Sequence, residues 1–268
     1  MSIRLLFLIS CISVSCWGQL QSTTQSLRPK MYVLLVVNIH EKDRSKDRTA
    51  DFNNMKQFCR NTAKLLDLGD PDFGEFTRPH DVTSANINAY LESLKQKLKP
   101  KNNDIFIFYF SGHGANDPNK NTPVFECSNR GVYPMVQLSG FLMNLGISKP
   151  KTSLLIGDCC NHFMDRGAPQ TQSNPPSAVL YRSLFQTFQG RQVILFGAAS
   201  AGQPSWSHRS FGSFFGTAFR EEFINLTNTA NRSVSWDKLA EKIAATTKKL
   251  TKDKQKPYFN RFISTDSE

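Results

Sequence analysis

A histidine at position 113 and a cysteine pair at 159–160 are the residues whose types and placing could do chemistry together. Each closes a short apolar run. Residues 104–114 read DIFIFYFSGHG, and 105–110 are all aliphatic or aromatic. That length and composition suit a strand buried on both faces, as in the middle of a parallel sheet. Residues 153–160, SLLIGDCC, repeat the design. Ligands of open α/β sheets bind beyond the carboxyl ends of the strands, so two adjacent parallel strands would set an imidazole beside a thiol. The thiolate is the nucleophile, and a neighbouring imidazole generates it near neutral pH. The same ring can then protonate a leaving amine. Backbone N–H groups of Gly114 and Cys160 are suited to hold the oxyanion of the attacked carbonyl. Cys160, His113 and these two amides make an acyl-transfer centre.

The remaining chain supplies elements to hold that meeting. Residues 31–39, MYVLLVVNI, predict a first buried strand, followed by a charged loop over 40–48. A helix is expected to begin at Asp51, in N-cap chemistry, because Phe52, Met55, Cys59, Ala63 and Leu66 recur at helical spacing. A second helix starts at Thr83 or Ser84 and carries Ile87, Leu91, Leu94 and Leu98 inward. Residues 124–127 and 131–133 read as a small hairpin, and 135–145 as a helix. QVILFGA at 192–198 predicts a fourth buried strand, followed by a small-residue turn with Ser205 and Trp206. Helices over 179–188, 211–224 and 236–250 and a closing strand over 258–263 complete the order. Strands and helices alternate, which predicts an α/β fold with a mainly parallel, about six-stranded sheet between helical layers. No Walker sequence and no GxGxxG after a strand is present, which argues against nucleotide chemistry.

The 268 residues carry a net charge of +11 and are 39% hydrophobic, enough apolar material for a large core. The lysines and arginines are scattered, and the one dense run, 248–256, ends a surface helix, so nucleic acid is not an expected partner. Arg4 precedes a hydrophobic region at 5–17, and Cys16-Trp17-Gly18 offers small residues at both cleavage-determining positions. The segment is too short to span a bilayer and reads as a secretory signal over 1–18, with a polar leader over 19–30. A rival reading takes Leu8-Ile9-Ser10-Cys11 as a lipoprotein box. Either way the mature chain is expected to be secreted or periplasmic, with no later membrane span. Cleavage leaves Cys59, Cys127, Cys159 and Cys160, too few for a disulfide scaffold. A vicinal bridge between Cys159 and Cys160 would switch the nucleophile off reversibly. Cys159, Cys160 and His162 have poor zinc spacing, so no metal site is expected there.

YFSGHG followed by a strand ending in Asp-Cys-Cys resembles the metacaspase branch of the caspase-like cysteine peptidases, over about residues 31–263. His113 and Cys160 lie 47 positions apart (160 − 113), close to the spacing of the caspase arrangement. The resemblance implies a caspase-like three-layer fold over 31–265, with a large part at 31–160, a loop at 161–190 and a small part at 191–265. It implies a cysteine endopeptidase with Cys160 as nucleophile and His113 as its partner, acting on peptide or protein substrates; a monomer is expected. It also implies a pocket for basic side chains built from Asp51, Ser111 and Asp158, hence cleavage after Arg or Lys. Calcium as a cofactor is implied by the resemblance alone. Arg166 and Arg182 within 161–190 are candidate self-cleavage points. The residues after Cys160, Asn161-His162-Phe163, depart from the family's usual His or Gln then Ser-Gly, and the acidic segment common after the histidine is absent. From these departures follows the alternative of a catalytically silent caspase-like binding or scaffold protein.

Overall fold

The apolar runs become strands because nearly every side chain in them is buried on one of two faces. In the computed structural model, which describes residues 28–100, 102–116, 122–129, 131–159, 161–163, 176–187, 189–228 and 234–264, β1 (Met31–Val37), β3 (Ile105–Gly112), β7 (Thr152–Cys159) and β9 (Arg191–Gly197) are buried along their whole lengths. With β2 (Asp72–Phe76) and β12 (Tyr258–Ser264) they form one sheet in the order β12-β9-β7-β3-β1-β2. All its pairings are parallel except the last, where β12 runs antiparallel along β9. The mainly parallel, six-stranded α/β sheet predicted from the alternation is therefore present.

Alternate residues of each strand feed two cores. Val33, Leu35, Ile107, Tyr109, Ile156 and Phe196 face one side. There they meet α1 (Ser45–Leu65), α4 (Ala178–Phe185), α5 (Phe214–Asn228) and α6 (Trp236–Thr251). Aromatic rings fill this layer: Phe223 packs within 6.0 Å, centroid to centroid, of Phe58, Tyr181, Phe185, Phe219 and Trp236. Leu34, Phe106, Phe108, Phe110 and Leu195 face the other side, against α2 (Ser84–Lys97) and α3 (Met135–Met143). The α2 boundary follows local chemistry: Thr83 accepts the Asn86 N–H as N-cap.

Two three-stranded sheets sit beyond the carboxyl ends of the main strands. One joins β4 (Gly114–Asn116), β5 (Pro123–Glu126) and β6 (Val132–Pro134), all antiparallel, and so adds a strand to the predicted hairpin. The other joins β8 (Asn161–Phe163), β10 (Ser205–His208) and β11 (Gly212–Ser213). One expectation is corrected. Helix α1 begins at Ser45, so Asp51 is interior to it and caps nothing. The added turns are stabilised from outside the helix, through the buried Asp47 and Arg48. Cys59 and Cys127 are buried thiols in the two cores. Among the described residues no helix is long and apolar enough to cross a membrane.

Candidate active site

The register between β3 and β7 sets the site. Ser111 stands opposite Asp158 and Gly112 opposite Cys159. His113 follows the one strand directly, and position 160 follows the other. Cys160 itself lies outside the described residues, as do the expected signal at 1–18 and Arg166. The His113 side chain is about half exposed, at the rim of a cavity of about 390 Å³ that Phe110, Val82, Cys127, Glu41 and Glu126 also line. Glu41, in the loop after β1, was not singled out in the sequence, yet its Oε1 contacts His113 Nε2. Its other oxygen lies 3.5 Å from Arg48 Nε. Burial alone would raise the Glu41 carboxyl, but the bond to His113 and the Arg48 charge outweigh it and hold it below its ordinary range.

Gly114 opens β4 opposite Phe125. The Glu126 N–H donates to the His113 carbonyl at 3.0 Å, so 113 and 126 form a hydrogen-bonded pair and 114 and 125 the next, non-bonded one. The Gly114 N–H therefore points away from β5. A Cβ at Gly114 would lie 2.6 Å from the Val124 carbonyl oxygen and 2.7 Å from Cys159 Sγ. The hairpin thus sits directly on Cys159, which is buried in the α2–α3 core and turned away from the aspartates.

The three pocket residues expected from the sequence are brought together on the α1–α5 face. Ser111 Oγ donates to Asp51 Oδ2 at 2.8 Å and accepts from Arg48 Nη1 at 2.9 Å. Ser213 donates its N–H to Asp51 Oδ1 at 2.8 Å and its hydroxyl to Asp158 Oδ2, which also accepts from the Tyr109 hydroxyl at 3.1 Å. Gly212 makes this approach possible: its φ is +87°, and a Cβ there would fall 2.0 Å from Asp51 Oδ1. Burial, then the charge of Asp51, pushes the Asp158 carboxyl up to about 7, and burial likewise raises Asp51. Four buried atoms in this cluster keep hydrogen-bonding capacity unused: Asp158 Oδ1, Arg48 Nε and Nη2, and Arg220 Nη1. Nearer the surface, Ser207 Oγ donates to Asp47 Oδ2 at 3.1 Å and accepts from Arg44 Nη1 at 3.2 Å. None of the aspartates lines the cavity beside His113, whereas Ser111 borders both the cavity and the aspartate cluster.

The fold and this strand-end site define a class. The caspase domain family matches residues 32–266, and the chain belongs to that family, one of cysteine peptidases. A crystal structure of a protein from Geobacter sulfurreducens aligns with a TM-score of 0.54 at 15% identity, covering 88% of this chain and 94% of the other. Caspase-1 from Spodoptera frugiperda aligns with a TM-score of 0.52 at 14% identity, covering 88% and 86%. At such identities the likeness is one of fold. No curated protein matches the chain significantly in sequence. Among the described residues no group of three His, Cys, Asp or Glu side chains is arranged to hold a metal ion.

Proposed function

We propose that the chain is a cysteine endopeptidase that cleaves after Arg or Lys, with Cys160 as nucleophile and His113 as proton carrier. The observation that carries this reading is the β3–β7 register, which ends with Gly112 opposite Cys159, one residue short of the pair. His113 takes the thiol proton, and sulfur attacks the scissile carbonyl carbon. The oxyanion is held by the N–H groups of Gly114 and Cys160; the direction of the Gly114 N–H, away from β5, supports its part. As the C–N bond breaks, the imidazolium returns its proton to the leaving amine and a thioester remains. Water, deprotonated by the same ring, then releases the acid product and the thiol.

Asp51, Ser111 and Asp158 form the basic-residue pocket in this proposal. Its support is Asp158 Oδ1, a buried acceptor without a donor, which a substrate guanidinium or ammonium would satisfy. Arg48 and Arg220 offer unused donors in the same cluster, so the competing preference, for an acidic residue, is decided by measurement. We also place the mature chain outside the cytoplasm, on the strength of the signal-like stretch at 1–18, and take it to act as a monomer.

Purified mature chain is incubated with fluorogenic peptides ending in Arg, Lys or Asp, with and without calcium, beside Cys160→Ala. Faster release from the Arg and Lys peptides, lost in the variant, is the expected result. Fastest release from the Asp peptide overturns the basic preference. Equal signals from the two proteins overturn the peptidase reading in favour of a scaffold.

A further inference from the structure

The Glu41–His113 contact lies outside the expected dyad. Glu41 is fixed from three directions. Its N–H donates to the Asn38 carbonyl at 3.4 Å, its carbonyl accepts the Arg44 N–H at 3.0 Å, and its Oε2 faces the wholly buried Arg48 guanidinium. Arg48 is held in turn by Ser111, two residues before His113 on β3. A closed circuit therefore runs from His113 through Glu41, Arg48 and Ser111 back to the strand that carries the histidine. A carboxylate held this rigidly against one ring nitrogen determines which nitrogen carries the proton.

We infer that Glu41 is the positioning residue for His113: its carboxylate takes the Nε2–H and leaves Nδ1 as the nitrogen that receives the thiol proton of Cys160. The inference rests on the peptidase reading above. It adds a third member, a carboxylate from the loop after β1, anchored by an arginine from α1. In the step itself the proton leaving sulfur goes to Nδ1, and Nε2 keeps its own. The imidazolium so formed faces the Glu41 charge until Nδ1 gives its proton to the leaving amine. The charged groups around the pair are Arg48 and Arg44 on the α1 side of Glu41, and Glu126 from β5 on the cavity side of His113.

Glu41→Gln keeps an acceptor and removes the charge; Glu41→Ala removes both; Glu41→Asp retracts the carboxylate. Turnover by the Gln variant is expected to fall about 10-fold and by the Ala variant about 100-fold, the range for removing the group that orients a reactive histidine. KM should change less than turnover, because Asp51, Ser111 and Asp158 are all retained. Glu41→Asp should recover part of the lost turnover. A second readout needs no turnover. Nitrogen-15 shifts of the neutral His113 ring should place the proton on Nε2 in the natural chain and lose that preference in Glu41→Ala. A neutral ring protonated on Nδ1, or an unchanged nitrogen pattern in the Ala variant, overturns the inference whether or not the chain is active. Equal turnover by the natural chain and Cys160→Ala would instead remove the peptidase reading, with the ring measurement still deciding the role of Glu41.

Discussion

Ser111 donates its hydroxyl to Asp51 Oδ2 over 2.8 Å, and so joins the strand that ends at His113 to the first helix. The same aspartate accepts the Ser213 N–H at 2.8 Å, which adds the start of α5 to the joint. Three segments far apart in sequence meet at one buried carboxylate. Asp51→Ala leaves the Ser213 N–H and the Ser111 hydroxyl without their acceptor and removes a carboxylate whose charge Arg48 feels. We expect a loss of about 3 kcal/mol in unfolding free energy, the usual cost of removing one partner of a buried charged pair. Denaturant melts read it, and a midpoint within error of the natural chain would contradict it.

The two adjacent cysteines should behave oppositely. Cys160→Ala is expected to reduce peptide cleavage about a thousandfold or more with little change in stability. Cys159 is packed under the hairpin, so Cys159→Ala should cost about 1 kcal/mol and retain turnover. Iodoacetamide should alkylate position 160 first, as read by peptide mass mapping. Loss of activity in Cys159→Ala with full folding would reverse the assignment.

Stability should fall as pH rises from about 4 to 7. An unfolded aspartate titrates near 3.9, whereas burial and Asp51 raise folded Asp158 to about 7. Between those values the native state binds more protons than the unfolded state, so each rise in pH disfavours folding. Below the unfolded value this contribution is fully present. Asp158→Asn should flatten that part of the stability profile, measured by chemical denaturation across pH. An unchanged slope would show that other buried acids carry it.

Gly114→Ala tests the close approach of hairpin to sheet. The added methyl group meets a backbone carbonyl and the Cys159 side chain, and neither is a flexible end. We expect about 2 kcal/mol of destabilisation, as for overpacking elsewhere, together with a fall in kcat as β4 lifts away. Thermal melting beside turnover of the same variant reads both.

Most of the sheet was legible in the sequence because β1, β3, β7 and β9 are continuous apolar runs too short for helices and rich in strand-forming residues. The meeting of Ser111 with Asp158 was expected from the family resemblance, which set both in one pocket. Helix α1 was misjudged at its start. Residues 45–50 carry charges that read as loop, and their helical state depends on partners such as Ser207 and Ser111 in distant segments. The small sheet of β8, β10 and β11 was missed because strands of two to four residues, rich in Ser and His, show no periodicity. Glu41 was hidden for a related reason. Nothing local separates it from its charged neighbours until the loop is folded back over His113.

The partition of Ser213 from Asp51 and Asp158 along the chain has a further consequence. Asp158 comes before the 164–175 stretch and Ser213 after it, yet they share a hydrogen bond, and β7 pairs with β9 across the same interval. Arg182 lies inside α4, where its backbone is held helical, so scission there would first require that helix to unwind. A cut at Arg166 would break none of the described helices or strands. Two fragments made that way would remain a single particle in buffer, interlocked through the central sheet and the shared carboxylates, and would part only in detergent.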